Sequence, residues 1–309
     1  MSHKYKQLEP ERQIKLPVPP EFSFKENLKY LSRSSNECLL RIHDNKVYKA
    51  IATGTNIYVL EVSEDLESPQ TLSVHILGPD VPNSMDRKEI ALHVREWFDL
   101  DTDLAPFYKM AKQDKILEGA AQQFYGLRNM GIPDLFEAIC WGIIGQQINL
   151  AFAYTLKRRL VERYGRSILY EGDLYWVFPV PETIASLSVE EMEDLRMTVK
   201  KREYLIDVAK LFVNGQLSKE SLLLAADCKT AEKMLVKIRG IGPWTANYVL
   251  MRCLRYASAF PIDDVGLHNA IKHVLQAEEK PTKEELRQLS SGWTNWESYA
   301  TFYLWRLLY

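Results

Sequence analysis

The chain has 309 residues, 46% of them hydrophobic and 26% charged, and 39 lysine and arginine residues against 41 acidic ones give a formal net charge of −2. This length favours two domains, and the ordinary apolar content excludes a mainly disordered chain. The near-neutral charge argues against a protein that binds nucleic acid through bulk basicity.

Residues 1–105 have the pattern of a small antiparallel sheet with helices at its edges. Asp44-Asn45 and Gly54 are turn-forming residues that separate short runs rich in β-branched side chains. After the last run, apolar residues recur at helical spacing. The predicted elements are a helix at 24–31, strands at 37–42, 46–52, 56–62 and 71–77, and a helix that carries Ile90, Val94, Trp97 and Phe98.

From residue 106 to residue 309 the pattern is helical almost without interruption. No internal repeat or low-complexity linker separates the two parts, so the join near residue 105 should be tight. The fold class is therefore predicted as α+β, a small antiparallel sheet domain followed by a mainly helical core. Spacing near 3.6 residues occurs at 133–148, 150–164, 200–213, 230–239, 243–255, 266–276, 282–289 and 295–308.

The most informative segment is 235–252, where Gly-Ile-Gly-Pro, residues 240–243, joins two helical patterns. Such a hairpin leaves backbone N–H groups unpaired and directed outward, and proline suits the first turn of the second helix. Groups of this kind bind phosphate, and glycine allows a nucleic-acid backbone to approach closely. The same pattern also makes a tight corner between helices, so the hairpin alone leaves both interpretations open.

The hairpin and its surroundings resemble the helix-hairpin-helix/Gly-Pro-Asp superfamily of DNA glycosylases, and within it the alkylation-repair branch, DNA-3-methyladenine glycosylase II. The motifs that carry the resemblance are Gly-Ile-Gly-Pro-Trp-Thr-Ala-Asn-Tyr at 240–248, Pro-Ile-Asp-Asp-Val-Gly at 261–266, Ile-Ile-Gly-Gln-Gln-Ile at 143–148 and Trp-Glu-Ser-Tyr-Ala at 296–300. The resemblance covers about residues 115–309, with a looser match of the N-terminal sheet. It implies a helix-hairpin-helix glycosylase core.

Asp264 is the predicted catalytic residue. Its position just before a helical run predicts an N-cap, where helix N–H groups stabilise an ionised carboxylate. The resemblance implies that this carboxylate faces the sugar C1′. There it would stabilise positive charge as the base leaves, and orient or deprotonate the attacking water. The neighbouring Asp263 is expected to be structural.

By resemblance, Trp244, Tyr248 and Trp305 form the base pocket. Trp244 and Tyr248 are four residues apart and therefore share one helix face. An alkylated purine is cationic and electron-poor, and once flipped out of the base stack it is attracted to the faces of aromatic rings. A plain role in the core stays open for these aromatics, above all for Tyr248.

Trp244 stands where bifunctional glycosylase/lyases of this superfamily carry a lysine nucleophile, so the resemblance implies a monofunctional enzyme that uses water. No cysteine follows Cys253, which excludes the iron–sulfur branch, and the histidines lack metal-binding spacing. We expect no metal site and no cofactor, apart from an unidentified monovalent cation that the resemblance suggests at the hairpin.

The DNA contacts are expected at the hairpin and at a second turn. Resemblance places at Gln147 a side chain that enters the duplex; glutamine argues against apolar intercalation but can fill the vacated space. Its alternative role is to cap a helix turn. Two basic runs, 157–166 and 196–202, are each typical of a solvated helix face, and one of them is expected to meet phosphates. The expected hairpin contacts are Gly240, Ile241, Gly242, Arg239 and Thr245.

These residues predict a monomeric, monofunctional DNA glycosylase that acts on double-stranded DNA with damaged bases. It would flip out alkylated purines of the 3-methyladenine type and hydrolyse their N-glycosidic bond, in base excision repair. The alternatives are a glycosylase for deaminated or oxidised purines, a lyase that uses some other lysine, and a non-catalytic helix-hairpin-helix module that only binds DNA.

The cysteines and the first residues bear on location. The four cysteines, at positions 38, 140, 228 and 253, form no Cys-x-x-Cys pair, so zinc ribbons and thioredoxin-type sites are excluded. The chain starts MSHKYKQLEPERQIKL, without an apolar segment, and contains no run of 18 apolar residues. We expect reduced thiols, no membrane, and an intracellular location in the cytoplasm or nucleoid, or in the nucleus of a eukaryote.

Overall fold

A computed structural model of the chain describes residues 10–308. Residues 1–9 and 309, which belong to the two predicted domains, lie outside the described residues, as does much of the N-terminal segment from which location is predicted. No helix within residues 10–308 is long and apolar enough to cross a membrane.

The N-terminal part contains a five-stranded antiparallel sheet in the order β1-β5-β4-β3-β2, which confirms the predicted kind of sheet. At its centre Leu60 lies opposite Ile76, and Val62 lies opposite Val74; all four side chains are buried. The strands are β1 Gln13–Pro17, β2 Arg41–His43, β3 Lys46–Thr53, β4 Asn56–Glu64 and β5 Thr71–Leu77.

Two sequence-based expectations about this sheet are wrong. The strand predicted at 37–42 is short, because the Glu37 carboxylate accepts hydrogen bonds from the backbone N–H groups of Cys38 and Leu39, so that pairing starts only at Arg41. Strand β1, which was not predicted, forms the opposite edge of the sheet by pairing with β5.

All eight predicted helical stretches contain a helix. The helices are α1 Phe24–Leu31, α2 Ser84–Phe98, α3 Ala105–Ala111, α4 Glu118–Gln123, α5 Leu135–Ile144, α6 Leu150–Tyr164, α7 Pro181–Ala185, α8 Val199–Val213, α9 Lys219–Leu223, α10 Cys228–Val236, α11 Pro243–Arg252, α12 Val265–Val274, α13 Lys283–Leu289 and α14 Glu297–Trp305. Helices α1 and α6 have the predicted bounds.

The helical part is interrupted by a β-hairpin that was not predicted, β6 Arg166–Tyr170 paired with β7 Asp173–Val177. Its Tyr175 and Val177 are buried against Ala50 and Val59 of the large sheet. An isolated two-stranded hairpin is only marginally stable in water. This hairpin therefore depends on the N-terminal sheet for its apolar cover.

The two parts of the chain share one continuous hydrophobic core. The buried Arg128 joins them, since its Nε donates to the carbonyl of Asp99 at 3.0 Å and its Nη1 donates to that of Glu21 at 3.2 Å. The ring of Tyr30 in α1 also packs on Phe302 of α14, with ring centroids 4.7 Å apart. The boundary at residue 105 itself stays a prediction.

Candidate active site

A cavity of about 680 Å³ lies where the N-termini of α6, α11 and α12 meet. It is lined by Asn149, the N-cap of α6, by Trp244 in the first turn of α11, and by Asp264, the N-cap of α12. Its volume is typical of small-molecule sites. Helix N-termini carry partial positive charge, so three of them together favour a negative group at the rim.

Asp264 caps α12 as the sequence predicts, and its carboxylate is held by three donors. Oδ1 accepts from the backbone N–H of Leu267 and from Trp305 Nε1, each at 2.7 Å, and Oδ2 accepts from Trp244 Nε1 at 2.7 Å. A carboxylate offers about four acceptor positions. The described partners therefore leave about one, on Oδ2, for a water or substrate atom.

Gly266 makes this arrangement possible, which sequence reasoning missed. A Cβ at Gly266 would lie 2.9 Å from Asp264 Oδ1 and 3.3 Å from Trp305 Cδ1. A larger residue would therefore separate the indole of Trp305 from the carboxylate. The sequence signal was the Gly two positions after the aspartate in the Asp-Val-Gly motif.

The three predicted pocket aromatics form one continuous surface along the cavity. The Trp244 and Tyr248 rings stack, with centroids 5.5 Å apart and planes 23° apart. Tyr248 also packs on Trp305, with centroids 6.3 Å apart. Tyr248 and Trp305 are largely buried but line the cavity, so their place in the core is compatible with the pocket role, which stays a prediction.

The cavity shares one wall with a second, smaller cavity of about 60 Å³. The residues of this wall come from both the N-terminal part and the helical part of the chain. Of all the wall residues, only Tyr248 was predicted as a site residue. No motif marks the others, since they converge only on folding. The wall consists of Tyr30, Arg33, Trp141, Tyr248 and Arg252.

Two guanidinium groups supply charge to this wall. Arg252 is buried, and it donates from Nε to the carbonyl of Met130 at 2.7 Å and from Nη1 to the Tyr248 hydroxyl at 3.1 Å. Burial raises the pKa of Tyr248 above its ordinary value, an effect that the Arg252 charge opposes. Arg33 lies over the ring of Tyr30, 3.9 Å from its centroid.

The two hairpin glycines have different structural reasons. Gly240 has a φ of +90°, and a Cβ there would collide with the ring of Tyr204. Glycine is therefore required at this position by the backbone conformation and by packing within the protein. At Gly242 a Cβ would meet nothing within 4 Å, which leaves open space beside the first turn of α11. The side chain of Ile241 is buried, so its backbone is what the hairpin can offer DNA.

Two residues that were expected to contact DNA at the hairpin, Arg239 and Thr245, form polar contacts with other side chains of the protein. The Arg239 guanidinium forms ion pairs with Glu203 and with Asp207, the latter at 2.9 Å. The Thr245 side chain is buried, and its Oγ1 accepts a hydrogen bond from Gln146. Thr245 as a DNA contact stays a prediction, and its buried side chain restricts that contact to the backbone. Arg239 as a phosphate ligand stays a prediction.

Gln147 lies in the turn between α5 and α6, beside the cavity. Its side chain is exposed, and its φ of 58° places it in the left-handed region. The N-cap of α6 is Asn149, whose side chain accepts from the N–H of Phe152 at 2.9 Å. Gln147 therefore does not cap that helix, and its role as the inserted side chain stays a prediction.

The basic runs are more buried than their composition suggests. Lys157, Lys201 and Arg202 are buried and cannot face DNA. Asp263 pairs with Lys283 at 2.8 Å and also lines the cavity, so its structural role stays a prediction. Within residues 10–308 no cluster of histidine, cysteine and acidic side chains could hold a metal ion, and the four cysteines are unpaired.

Two family models match the chain. The first, described as HhH-GPD superfamily base excision DNA repair protein, matches residues 140–295, and the second, described as 8-oxoguanine DNA glycosylase, N-terminal domain, matches residues 15–139. A DNA-3-methyladenine glycosylase of Bacillus subtilis is 52% identical over 297 residues, which are 96% of this chain and 97% of the relative. DNA-3-methyladenine glycosylase 2 of Escherichia coli is 31% identical over 60% of this chain and 62% of its own length.

Two solved structures share the fold. A 3-methyladenine DNA-glycosylase from Archaeoglobus fulgidus has a TM-score of 0.78 at 21% identity, over 94% of this chain and 97% of its own. The 8-oxoguanine glycosylase/lyase of Clostridium acetobutylicum, solved with double-stranded DNA, has a TM-score of 0.72 at 19% identity, over 93% of this chain and 91% of its own. At these identities the likeness concerns the fold alone.

Proposed function

Because the chain belongs to the HhH-GPD superfamily of base excision DNA repair proteins, we propose that it is a DNA glycosylase of the 3-methyladenine type. It hydrolyses the N-glycosidic bond of alkylated purines in double-stranded DNA and leaves an abasic site. The observation that carries the proposal is the Asp264 carboxylate, held by two indole N–H groups at the rim of an aromatic cavity.

The proposed reaction starts with a damaged nucleotide that leaves the base stack, because its sugar cannot otherwise reach a cavity inside the protein. The base enters beside Trp244, Tyr248 and Trp305, whose ring faces attract an electron-poor, cationic purine. This attraction is weaker for an undamaged neutral base. These aromatic ring faces therefore favour the cationic lesion over an undamaged base.

Bond cleavage is assigned to Asp264 and water. As the bond between C1′ and the base nitrogen breaks, its electron pair leaves with the base, and the sugar becomes an oxocarbenium-like cation that the carboxylate stabilises. Water then bonds to C1′ and gives its proton to Asp264 or to solvent. The free acceptor position on Oδ2 suits that water.

The proposed reaction needs no cofactor. A monovalent cation among the hairpin carbonyls would add to DNA affinity without taking part in cleavage. The carbonyls of Ile238 and Gly240 fit such a role, because each accepts one hydrogen bond within the protein and keeps a second lone pair. The hairpin amides and the exposed side chain of Gln147 are the proposed contacts to the duplex.

The test is base release from methylated duplex DNA by Asp264→Asn, a variant of equal size that lacks the negative charge. We expect release to slow at least about 100-fold, since charge stabilisation and proton transfer are both lost. The matched control, Asp173→Asn, removes an exposed ion pair with Arg41 away from the cavity and should change release by about twofold at most.

Three outcomes would contradict parts of the proposal. Undiminished release by Asp264→Asn would remove this residue from the mechanism. Salt-dependent duplex binding by a wild type that releases no base would indicate a DNA-binding module without catalysis. A covalent adduct trapped with borohydride would indicate a lyase.

A deaminated purine is the second candidate substrate, and the wall guanidinium groups favour it. The positive charges of Arg33 and Arg252 disfavour a cationic base. The N–H groups of the same guanidinium groups can donate hydrogen bonds to a ring carbonyl of the base. Hypoxanthine is neutral and carries such a carbonyl. The release rates of 3-methyladenine and hypoxanthine, measured side by side with the wild type, decide whether the aromatic rings or the guanidinium groups dominate the choice of substrate.

A further inference from the structure

One side chain connects the two turns that the proposed function assigns to DNA. Gln146 precedes Gln147 in the turn after α5, and its Nε2 donates to the carbonyl of Gly240 in the hairpin at 2.8 Å. The same Nε2 donates to Thr245 Oγ1 at 3.1 Å. The Gly240 carbonyl can only accept, so the amide must present its nitrogen to the hairpin.

The other side of this turn is also fixed. Lys201 of α8 is buried, and its Nζ donates to the carbonyls of Ile144 at 2.7 Å and Gln146 at 2.8 Å. A positive charge at the C-terminal end of α5 is favourable for its dipole. The backbone from Ile144 to Gln146 is therefore held by α8, while the Gln146 side chain holds the hairpin.

We propose that Gln146 is a positioning residue that couples the Gln147 turn to the hairpin, so that entry into the duplex and phosphate binding occur as one event. The inference rests on the proposed function. Without the amide link, the turn and the hairpin would both stay packed on α8, through Lys201 and Tyr204, but the direct hydrogen bond that sets their fine alignment would be lost. Small misplacements of positioning groups are costly in rate.

The test uses a duplex with a single 7-methylguanine in two forms, paired with cytosine or facing an abasic nucleotide. In the second form no base pair has to be opened, so precise entry by Gln147 matters less. Gln146→Met keeps the side-chain length but removes both N–H donors. We expect single-turnover release to slow by about tenfold from the paired duplex and by about twofold from the unpaired one.

The matched control is Gln122→Met, the same change on the exposed face of α4, which should leave both rates unchanged. A double-mutant cycle gives a second readout. Gln147→Ala should slow release from the paired duplex in the wild-type background but add little to Gln146→Met, because both changes act through one turn.

Gln146→Glu supplies a pH signature that a purely structural role would not produce. An ionised glutamate can only accept hydrogen bonds and repels the Gly240 carbonyl, whereas a protonated one can donate to it. Release by this variant, relative to the wild type, should therefore rise as the pH falls from about 8 to 5.5, towards the usual glutamate pKa of about 4.3.

Equal slowing of both duplexes by Gln146→Met, additive effects in the cycle, or a flat relative pH profile would overturn the inference. A wild type that releases no base from either duplex would overturn the proposed function and this inference together. Release by the wild type with equal slowing in the variant would overturn this inference alone.

Discussion

The indole N–H groups of Trp244 and Trp305 donate to different oxygens of Asp264, so under the proposed function each tryptophan would have two separable roles. One role is to present an aromatic ring face to a base in the cavity. The other is to hold the carboxylate in a fixed orientation, which depends on the N–H. A substitution that keeps the ring but removes the N–H separates the two.

Trp305→Phe is such a substitution. We expect kcat to fall about ten- to hundredfold, because a hydrogen bond to a charged group is lost, while KM changes by about twofold. Steady-state kinetics on a methylated duplex measure both. The control is Trp293→Phe, which also removes an indole N–H bonded to a carboxylate, that of Asp114, but outside the cavity. It should lower the free energy of unfolding and leave kcat unchanged; a loss of kcat in both variants would contradict the assignment.

At the residue scale, the sequence allowed site residues to be predicted where they belong to a recognisable motif. Asp264, Trp244, Tyr248 and Trp305 were predicted from motifs that resemble a known family, and the structure brings all four to one cavity, while their roles stay predictions. Tyr30 and Arg33 could not be predicted, because they reach the cavity wall only through packing of α1 on the helical core. The buried state of Thr245 likewise depends on α5, whose Gly142 lies against it.

At the scale of helices and strands, helix α6 links three parts of the molecule. Its Lys157 lies 3.5 Å from Glu37 of the N-terminal part and 3.2 Å from Glu137 of α5, and all three side chains are largely buried. Burial opposes ionisation of Glu37, but Lys157 and the N–H of Leu39 outweigh it and lower the pKa of Glu37. Since this pKa is lowered on folding, Glu37 contributes stability above its unfolded pKa, and that contribution is lost as the pH falls.

Lys157→Met should lower the free energy of unfolding by about 3–5 kcal/mol at pH 7, because two buried carboxylates lose their partner. The deficit should shrink as the pH falls towards about 4.5, because Glu37 in the variant lacks the Lys157 charge that lowers its pKa and can then take up a proton. Urea denaturation at the two pH values measures this. Lys210→Met, on the exposed face of α8, is the control. A deficit that does not depend on pH would indicate that packing, rather than charge, is lost.

The elements themselves could be predicted where one face carries a clear period, as in α1 and α6. The β6–β7 hairpin could not, because its apolar residues find their cover only on a sheet more than 100 residues earlier. The strand expected at 37–42 failed for a local reason, the Glu37 side chain that binds the backbone following it.

The charge of the whole molecule, −2, is compatible with DNA as a partner if contact is concentrated at the hairpin amides and the Gln147 turn, as the proposed function has it. Lysine and arginine side chains that neutralise phosphates release the cations condensed on DNA, which makes binding depend on salt. Backbone amides bind phosphate without a formal positive charge and release fewer of these cations. Of the basic side chains near the hairpin, Arg239 is already paired with two acids.

We therefore expect a shallow salt dependence of duplex binding, with a slope of log K against log salt of about −3 to −4, equivalent to about three or four phosphates. Arg239→Ala should change that slope by less than about 0.9, the value for one phosphate contact. Fluorescence anisotropy with a labelled duplex over a salt series measures both. A slope near −8 would show that bulk basic surface, rather than the hairpin, holds the DNA.

The wall shared by the two cavities bounds the cavity beside Asp264 and, under the proposed function, would set the largest adduct that fits there. About 680 Å³ lies in front of this wall and about 60 Å³ behind it. Trimming a wall side chain such as Trp141 would merge these spaces and lengthen the pocket. For an engineer who seeks a glycosylase for longer alkyl chains, α1 and α5 are thus the places to build a library, while Asp264 and its indole donors stay unchanged.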